Sequence, residues 1–192
     1  MEEFDQPEQA QELPSQISIK RFLLDLLETV GLAIILFLII NAVSARVRVD
    51  GYSMQPTLDN AQFVLVNRLA YKGHLPERGD IIVFRSLNSP EDLIKRVIGL
   101  PGEQILVENG QVLIDGKILS ESYIAESPAY SGTWNVPEDH LFVMGDNRND
   151  SSDSHAWGYL PLQNIVGRAV LVYWPFSDIM LIQHNNSALA AP

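Results

Sequence analysis

The sequence predicts a mainly β protein: a single membrane-spanning helix near the N-terminus, followed by an all-β domain. Three observations predict it. The apolar run at residues 22–45, FLLDLLETVGLAIILFLIINAVSA, holds 17 consecutive uncharged residues from Thr29 to Ala45, the lower limit for a helix that crosses a bilayer. After Ala45 no stretch of useful length keeps a helical period; short apolar runs bounded by turn residues take its place. Among these, Asn109-Gly110 and Asp115-Gly116 each sit between apolar segments, the strongest short-range signals for a β-hairpin.

In chain order, residues 1–21 form a polar leader with five acids against Lys20 and Arg21. Its length and acidity are unlike the short basic start of a cleaved signal peptide. Residues 22–45 therefore read as an uncleaved anchor. The competing readings are a signal peptide cut after Val43-Ser44-Ala45, whose form is small-x-small, and a buried helix of a soluble core. Asp25 and Glu28 fall in the first two turns, within reach of the headgroup layer if the helix tilts. Lys20 and Arg21 on one side oppose Arg46 and Arg48 on the other, so the positive-inside rule gives no orientation. Strands are expected at 46–51 (RVRVDG), 62–69 (QFVLVNRL), 79–86 (GDIIVFRS) and 92–100 (DLIKRVIGL). A small meander follows at 103–119, then HLFVMGDN (140–147) and IVGRAVLVYW (165–174). The end of the chain, QHNNSALAAP, is assigned no function.

Composition narrows the function. The chain has 192 residues and a net charge of -11, from 13 basic and 24 acidic side chains. No more than two basic residues are adjacent anywhere, so there is no nucleic-acid footprint. Cysteine is absent, which removes disulfides, thiolate nucleophiles and cysteine metal sites together. The four histidines, His74, His140, His155 and His184, show no ligand spacing with one another or with acids. Neither a metal nor another cofactor is expected.

Three stretches could carry chemistry. GYSMQPTL (51–58) places Ser53 in a turn bracketed by Gly51 and Pro56, a few residues beyond the apolar run. A serine in such a turn ordinarily caps a backbone N–H; a catalytic serine needs a base. Lys95, in DLIKRVIGLPGE, shares a strand face with Leu93 and Val97. Desolvation there would lower its pKa, and a neutral amine could take a proton from a hydroxyl. The ordinary alternative is an edge lysine with its amine in water. Arg96 points to the opposite face. The third stretch, GDNRNDSSDSHAWG (145–158), is a polar loop; Asp146, Asp150 and Asp153 lack the spacing of a calcium loop. His155 and Asp153 also allow a Ser53-His155-Asp153 triad to be drawn, against the plainer reading of His155 as a polar-loop histidine.

SMQPTL, RGDIIVF, KRVIGLPGE and GDNRNDSSDSHAWG, in this order behind an apolar anchor, together resemble the signature boxes of the type I signal peptidases. The boxes cover much of 51–102 and 142–158. His155 before Ala156-Trp157 is similar to the cyanobacterial and plastid (thylakoidal) branch. The resemblance implies an all-β Ser/Lys protease domain over 46–192, with a small inserted β subdomain at about 103–139. It implies Ser53 as nucleophile and Lys95 as general base, Ser151 as a hydrogen-bond partner that orients the Lys95 amine, and Asp146, Arg96 and Asp153 as bracing groups. Relatives with a serine two residues before the nucleophile use it in the oxyanion hole; here Gly51 stands there. The Ser53 N–H would then act with another donor, with the backbone around Gly51 one candidate. Loss of such a donor costs about 2.7–4 kcal/mol where it has been removed. His155 replaces an arginine of many relatives, so its pairing with Asp153 would be weaker and pH-sensitive.

The implied activity is removal of signal peptides from exported preproteins after small-x-small (A-x-A) sites. The implied partners are secretory preproteins and membrane lipid, with the export translocon a further candidate. The implied placement is a single-pass membrane protein with its catalytic domain on the trans side, in the periplasm or thylakoid lumen. The alternatives are a Ser/Lys self-cleaving repressor-like protease, a Ser-His-Asp hydrolase using His155, and an inactive precursor-binding module.

Overall fold

A computed structural model of the chain describes residues 19–86 and 89–184. Most of the leader and the end of the tail lie outside these residues. Two compact units divide near Ile40. The first holds most of helix α1 (Ile19–Val43), which is long and apolar enough to cross a membrane. None of its residues is buried, and Leu23, Leu27, Ile35 and Leu38 are exposed. Helix α1 begins before the apolar run at Phe22 and stops before Ala45, because Ser44 already belongs to a strand.

The second unit is built almost wholly of antiparallel strands. They are β1 (Ser44–Arg48), β2 (Phe63–Asn67), β3 (Ile81–Arg85), β4 (Asp92–Gly99), β5 (Gln104–Glu108), β6 (Gln111–Ile114), β7 (Lys117–Ile118), β8 (Gly132–Asn135), β9 (His140–Met144), β10 (Leu160–Pro161), β11 (Ile165–Trp174) and β12 (Met180–Leu181), with one short helix α2 (Ser154–Trp157). The larger sheet runs β1-β2-β11-β3-β4-β9-β10, with β12 beside β11. The smaller runs β7-β6-β5-β8.

Both hairpin dipeptides turn where the sequence places them. Asn109 and Gly110 have φ of 50° and 75°, and Asp115 and Gly116 of 48° and 78°. Two successive positive φ values suit a two-residue turn that matches strand twist. Strands β8, β10 and β12 are additions that the apolar pattern does not announce: each is short, and β8 and β12 bury no residue.

Three clusters fill the core. On one face of the large sheet Val49, Met54, Leu58, Val64, Val66, Ile81, Val83 and Val172 pack together. On the other face Ile82, Phe84, Val97, Val143 and Leu160 do so, with Leu93 and Trp157 against them. The third cluster joins the sheets, through Ile98, Phe142 and Met144 against Ile105, Val107, Val112 and Ile114. Strand β4 contributes to all three, and its last six residues, from Ile94 to Gly99, are buried.

Candidate active site

The turn that carries Ser53 follows from its flanks. Met54 and Leu58 are buried in the first core cluster, at 1% and 0% exposure. Their side chains hold down a turn closed by Gln55 N–H to Tyr52 O (3.1 Å) and Leu58 N–H to Met54 O (2.9 Å). Ser53 is left half-buried at the rim. Gly51 begins the turn at φ 98°, a backbone conformation open to glycine.

Strand β4 supplies the facing group. Lys95 is 4% exposed, and its Nζ lies 2.6 Å from Ser53 Oγ and 3.1 Å from Ile94 O. Leu93 and Val97 pack in the same cluster on its side of the sheet. Burial pushes the Lys95 amine below the ordinary lysine range, and the opposing fields of Asp153 and Asp146 do not cancel it.

Arg96 occupies the other face and is 1% exposed. Its Nε and Nη2 donate to the two oxygens of Asp146 at 2.8 and 2.6 Å, and Nη1 donates to Gly79 O at 2.9 Å. The guanidinium stacks 4.0 Å over the Tyr123 ring. Thr57 adds its hydroxyl to Asp146 Oδ2 at 2.5 Å. This ion pair therefore ties β4 to both the polar loop and the Ser53 turn.

The loop is ordered by its own polar groups. Asp153, with no exposed surface, accepts from Gly145 N–H (2.8 Å) and caps α2 through His155 N–H (3.2 Å). Its Oδ1 also meets His155 Nδ1 at 2.7 Å, and the imidazole stacks on Tyr130 with ring centroids 4.1 Å apart. Asn147 N–H donates to Ser53 O at 3.0 Å, bringing the loop onto the Ser53 turn. Gly145 sits in that seam: a Cβ there would overlap both Ser151 Oγ and the Ser53 carbonyl oxygen. Arg148 is fully buried against Glu121, with Nη1 donating at 2.8 Å and Nε donating to Gly145 O at 3.0 Å.

Three groups sit differently from the expected arrangement. Ser151 lies beside the seam, but its Oγ is buried and makes no hydrogen bond. The Lys95 amine is oriented instead by Ser53 and by the Ile94 carbonyl, because β4 brings that carbonyl within reach. The Gly51 N–H, a candidate oxyanion donor, donates to Asn60 Oδ1 at 3.0 Å and is already occupied. The Ser53 N–H has no acceptor among the described residues and remains available. Nor does His155 bond to Ser53: its ring is turned to Asp153 and Tyr130. The drawn triad is not assembled.

Thr57 belongs to SMQPTL, where a hydroxyl four residues after Ser53 is the signal that could find it. Glu121, Tyr123 and Tyr130 come from a stretch with no distinguishing pattern. Among the described residues, no group of three or more acids and histidines is placed to hold a metal ion.

Beside Ser53 and Lys95 opens a pocket of about 340 Å³, walled by Phe84, Leu93 and Trp157 and by the hydroxyl residues Ser86, Ser89 and Ser152. The polar loop's tryptophan thus packs down, its ring centroid 6.1 Å from that of Phe84. A second groove, of about 350 Å³, runs from the same two residues between Arg46–Asp50 and Glu91–Ile94.

The family described as "Signal peptidase, peptidase S26" matches residues 23–174. The chain is 45% identical over 182 residues to a "Signal peptidase I" of Leptolyngbya laminosa, covering 88% of this chain and 89% of that protein. It is 40% identical over 167 residues to a "Probable signal peptidase I-2" of Synechocystis sp., covering 83% and 77%. It is 33% identical over 165 residues to "Thylakoidal processing peptidase 1, chloroplastic" of Arabidopsis thaliana, covering 79% of this chain and 48% of that one. With a family match across most of its length and relatives of this closeness, the chain belongs to the type I signal peptidases, serine peptidases of family S26, in the branch of the cyanobacterial and thylakoidal enzymes.

Proposed function

We propose that the chain removes signal peptides from exported preproteins by a Ser53/Lys95 dyad, cutting after small-x-small (A-x-A) sites. The observation that carries this reading is the 2.6 Å approach of a buried lysine amine to a serine hydroxyl at the mouth of a pocket. Neutral Lys95 takes the Ser53 proton as Oγ bonds to the scissile carbonyl carbon. The Ser53 N–H faces the developing oxyanion. When the C–N bond breaks, Lys95 returns the proton to the leaving amine, and the preprotein's mature part departs. A water then gives a proton to Lys95 and attacks the acyl-enzyme, and Ser53 is regenerated as the signal peptide leaves. Asp146, Arg96 and Asp153 hold β4, the loop and the turn in register. His155 supports the loop through Asp153 and Tyr130.

The preprotein binds extended. Strand β1 is the edge of the large sheet, and the groove beside it leads to Ser53, which suits the addition of a substrate strand with alternate side chains in pockets. Helix α1 is the single-pass anchor, the leader lies on the cytoplasmic side, and the catalytic domain lies on the trans side, in the periplasm or thylakoid lumen. The scissile bond just beyond a substrate's own apolar segment is then met at its own depth. The smaller sheet is the inserted subdomain of about 103–139.

The test is cleavage of an A-x-A precursor in detergent by wild type, Ser53→Ala, Lys95→Ala and His155→Ala. Loss of the first two residues should each reduce turnover by at least ~10⁴-fold, whereas His155→Ala keeps measurable activity. The pH–rate profile should rise through a group below the ordinary lysine range, as the amine loses its proton. Turnover by Lys95→Ala with none by His155→Ala would sink the dyad and reinstate the triad.

A further inference from the structure

Although the chain carries a net charge of -11, three of its cations gather around one pocket. Arg68, Lys72 and Arg85, with the amides of Gln163 and Asn164, line a polar pocket of about 400 Å³. None of the three takes part in an ion pair among the described residues. Asp92 stands across the ladder from Arg85 without pairing to it. Asn164 Nδ2 donates to Arg85 O at 3.3 Å, which fixes that amide at the rim.

The pocket's position is tied to the anchor by the chain itself. Ala42 forms part of its wall. Arg68 N–H donates to Val43 O at 3.0 Å, and Ser44 pairs with Asn67. The cations thus stand at the root of the apolar segment. Leu69 and Leu75, 41% and 55% exposed, lie beside them, a mixture of apolar and basic side chains that suits a lipid–water boundary.

We propose that this pocket binds the anionic headgroup of a membrane lipid, a phosphate diester or a sulfonate, and so fixes the height of the catalytic domain over the bilayer. The proposal rests on the reading of α1 as an anchor. A headgroup oxygen would take Arg68, Lys72 and Arg85 as donors, while Leu69 and Leu75 meet the upper acyl chain. Each cation at an anionic surface is worth about fivefold in local affinity, so loss of all three costs on the order of 100-fold at low salt, and less as salt screens it.

The experiment reconstitutes the full chain in nanodiscs of equal phosphatidylglycerol and phosphatidylcholine and counts lipids retained after release, by native mass spectrometry. Wild type should retain phosphatidylglycerol at least ~10-fold over phosphatidylcholine. The Arg68→Gln/Lys72→Gln/Arg85→Gln variant should lose that preference while cleaving a short soluble peptide at the wild-type rate. The Arg68→Lys/Arg85→Lys variant should keep the preference. Equal retention by wild type and the glutamine variant overturns the proposal. Displacement of the lipid by millimolar inorganic phosphate also overturns it, in favour of a soluble-anion site. Removal of the wild-type chain from vesicles by a carbonate wash would instead overturn the anchor reading, and the proposal with it.

Discussion

Lys95 and Gly145 show how little room the site leaves for substitution. The Lys95 amine has been taken out of water and given only a hydroxyl and a carbonyl, not a carboxylate, as hydrogen-bond partners. A carboxylate in contact would favour the ammonium; Asp153 and Asp146 act only as weaker, opposing fields. Gly145 has a steric role, since its missing side chain lets the loop backbone lie against the Ser53 carbonyl and Ser151. Gly145→Ala should therefore force the loop from the Ser53 turn. We expect a loss of about 1–3 kcal/mol in stability and at least ~10-fold in kcat, with the serine and lysine both still present. Urea unfolding and precursor cleavage measure the two, and wild-type values for both would show that the seam is loose.

At the level of elements, β4 presents Lys95 on one face and Arg96 on the other, and the alternation lets two cations serve opposite purposes. In the proposed mechanism Lys95 acts as a neutral base, while Arg96 is ion-paired with Asp146, with side chains 1% and 0% exposed. Removal of one member of such a pair leaves the other buried without compensation, at about 3–5 kcal/mol. Asp146→Ala should lower stability by that amount, read from the midpoint of chemical unfolding. The Arg96→Met/Asp146→Leu double variant should recover most of it, because neither charge is then buried. A double variant as unstable as Asp146→Ala would mean that the loop needs the ion pair itself and not merely the absence of an orphan charge.

Across the whole molecule, the end of the described chain is fastened to the large sheet by a group that titrates in the acid range. Ile182 is 6% exposed in the first core cluster and donates its N–H to Val170 O at 3.0 Å. His184 Nδ1 accepts from Ile81 N–H at 3.3 Å. Burial, with Arg168 adding to it, lowers the imidazole from 6.5 to about 4. The folded state therefore binds fewer protons than the unfolded state between these values. Stability rises with pH across that window and is lost as pH falls from 6.5 toward about 4. Urea midpoints measured across this range should fall more steeply for wild type than for His184→Gln, and parallel slopes would remove His184 from the account. Carboxylates titrate in both proteins and cancel in the comparison.

Features that neighbours along the chain decide are legible in the sequence. The apolar run predicts α1, and alternating apolar residues predict the long strands. Asn109-Gly110 and Asp115-Gly116 predict two turns, and the alternation through β4 separates the faces of Lys95 and Arg96. These are local preferences of backbone and side chain, so a linear reading reaches them. What depends on the return of distant segments emerges with the folded chain. It brings Lys95 to 2.6 Å from Ser53 across 42 residues of chain. It also occupies the Gly51 N–H with Asn60, leaves Ser151 Oγ without a partner, and lays Tyr123 against Arg96. Strands β8, β10 and β12 belong to the same class: with two to four residues each, they carry too little pattern to be read alone and exist because a longer strand offers them an edge. A hydrogen bond needs its partners placed within a few tenths of an ångström. That placement comes from strand register and core packing, which no short stretch of sequence contains.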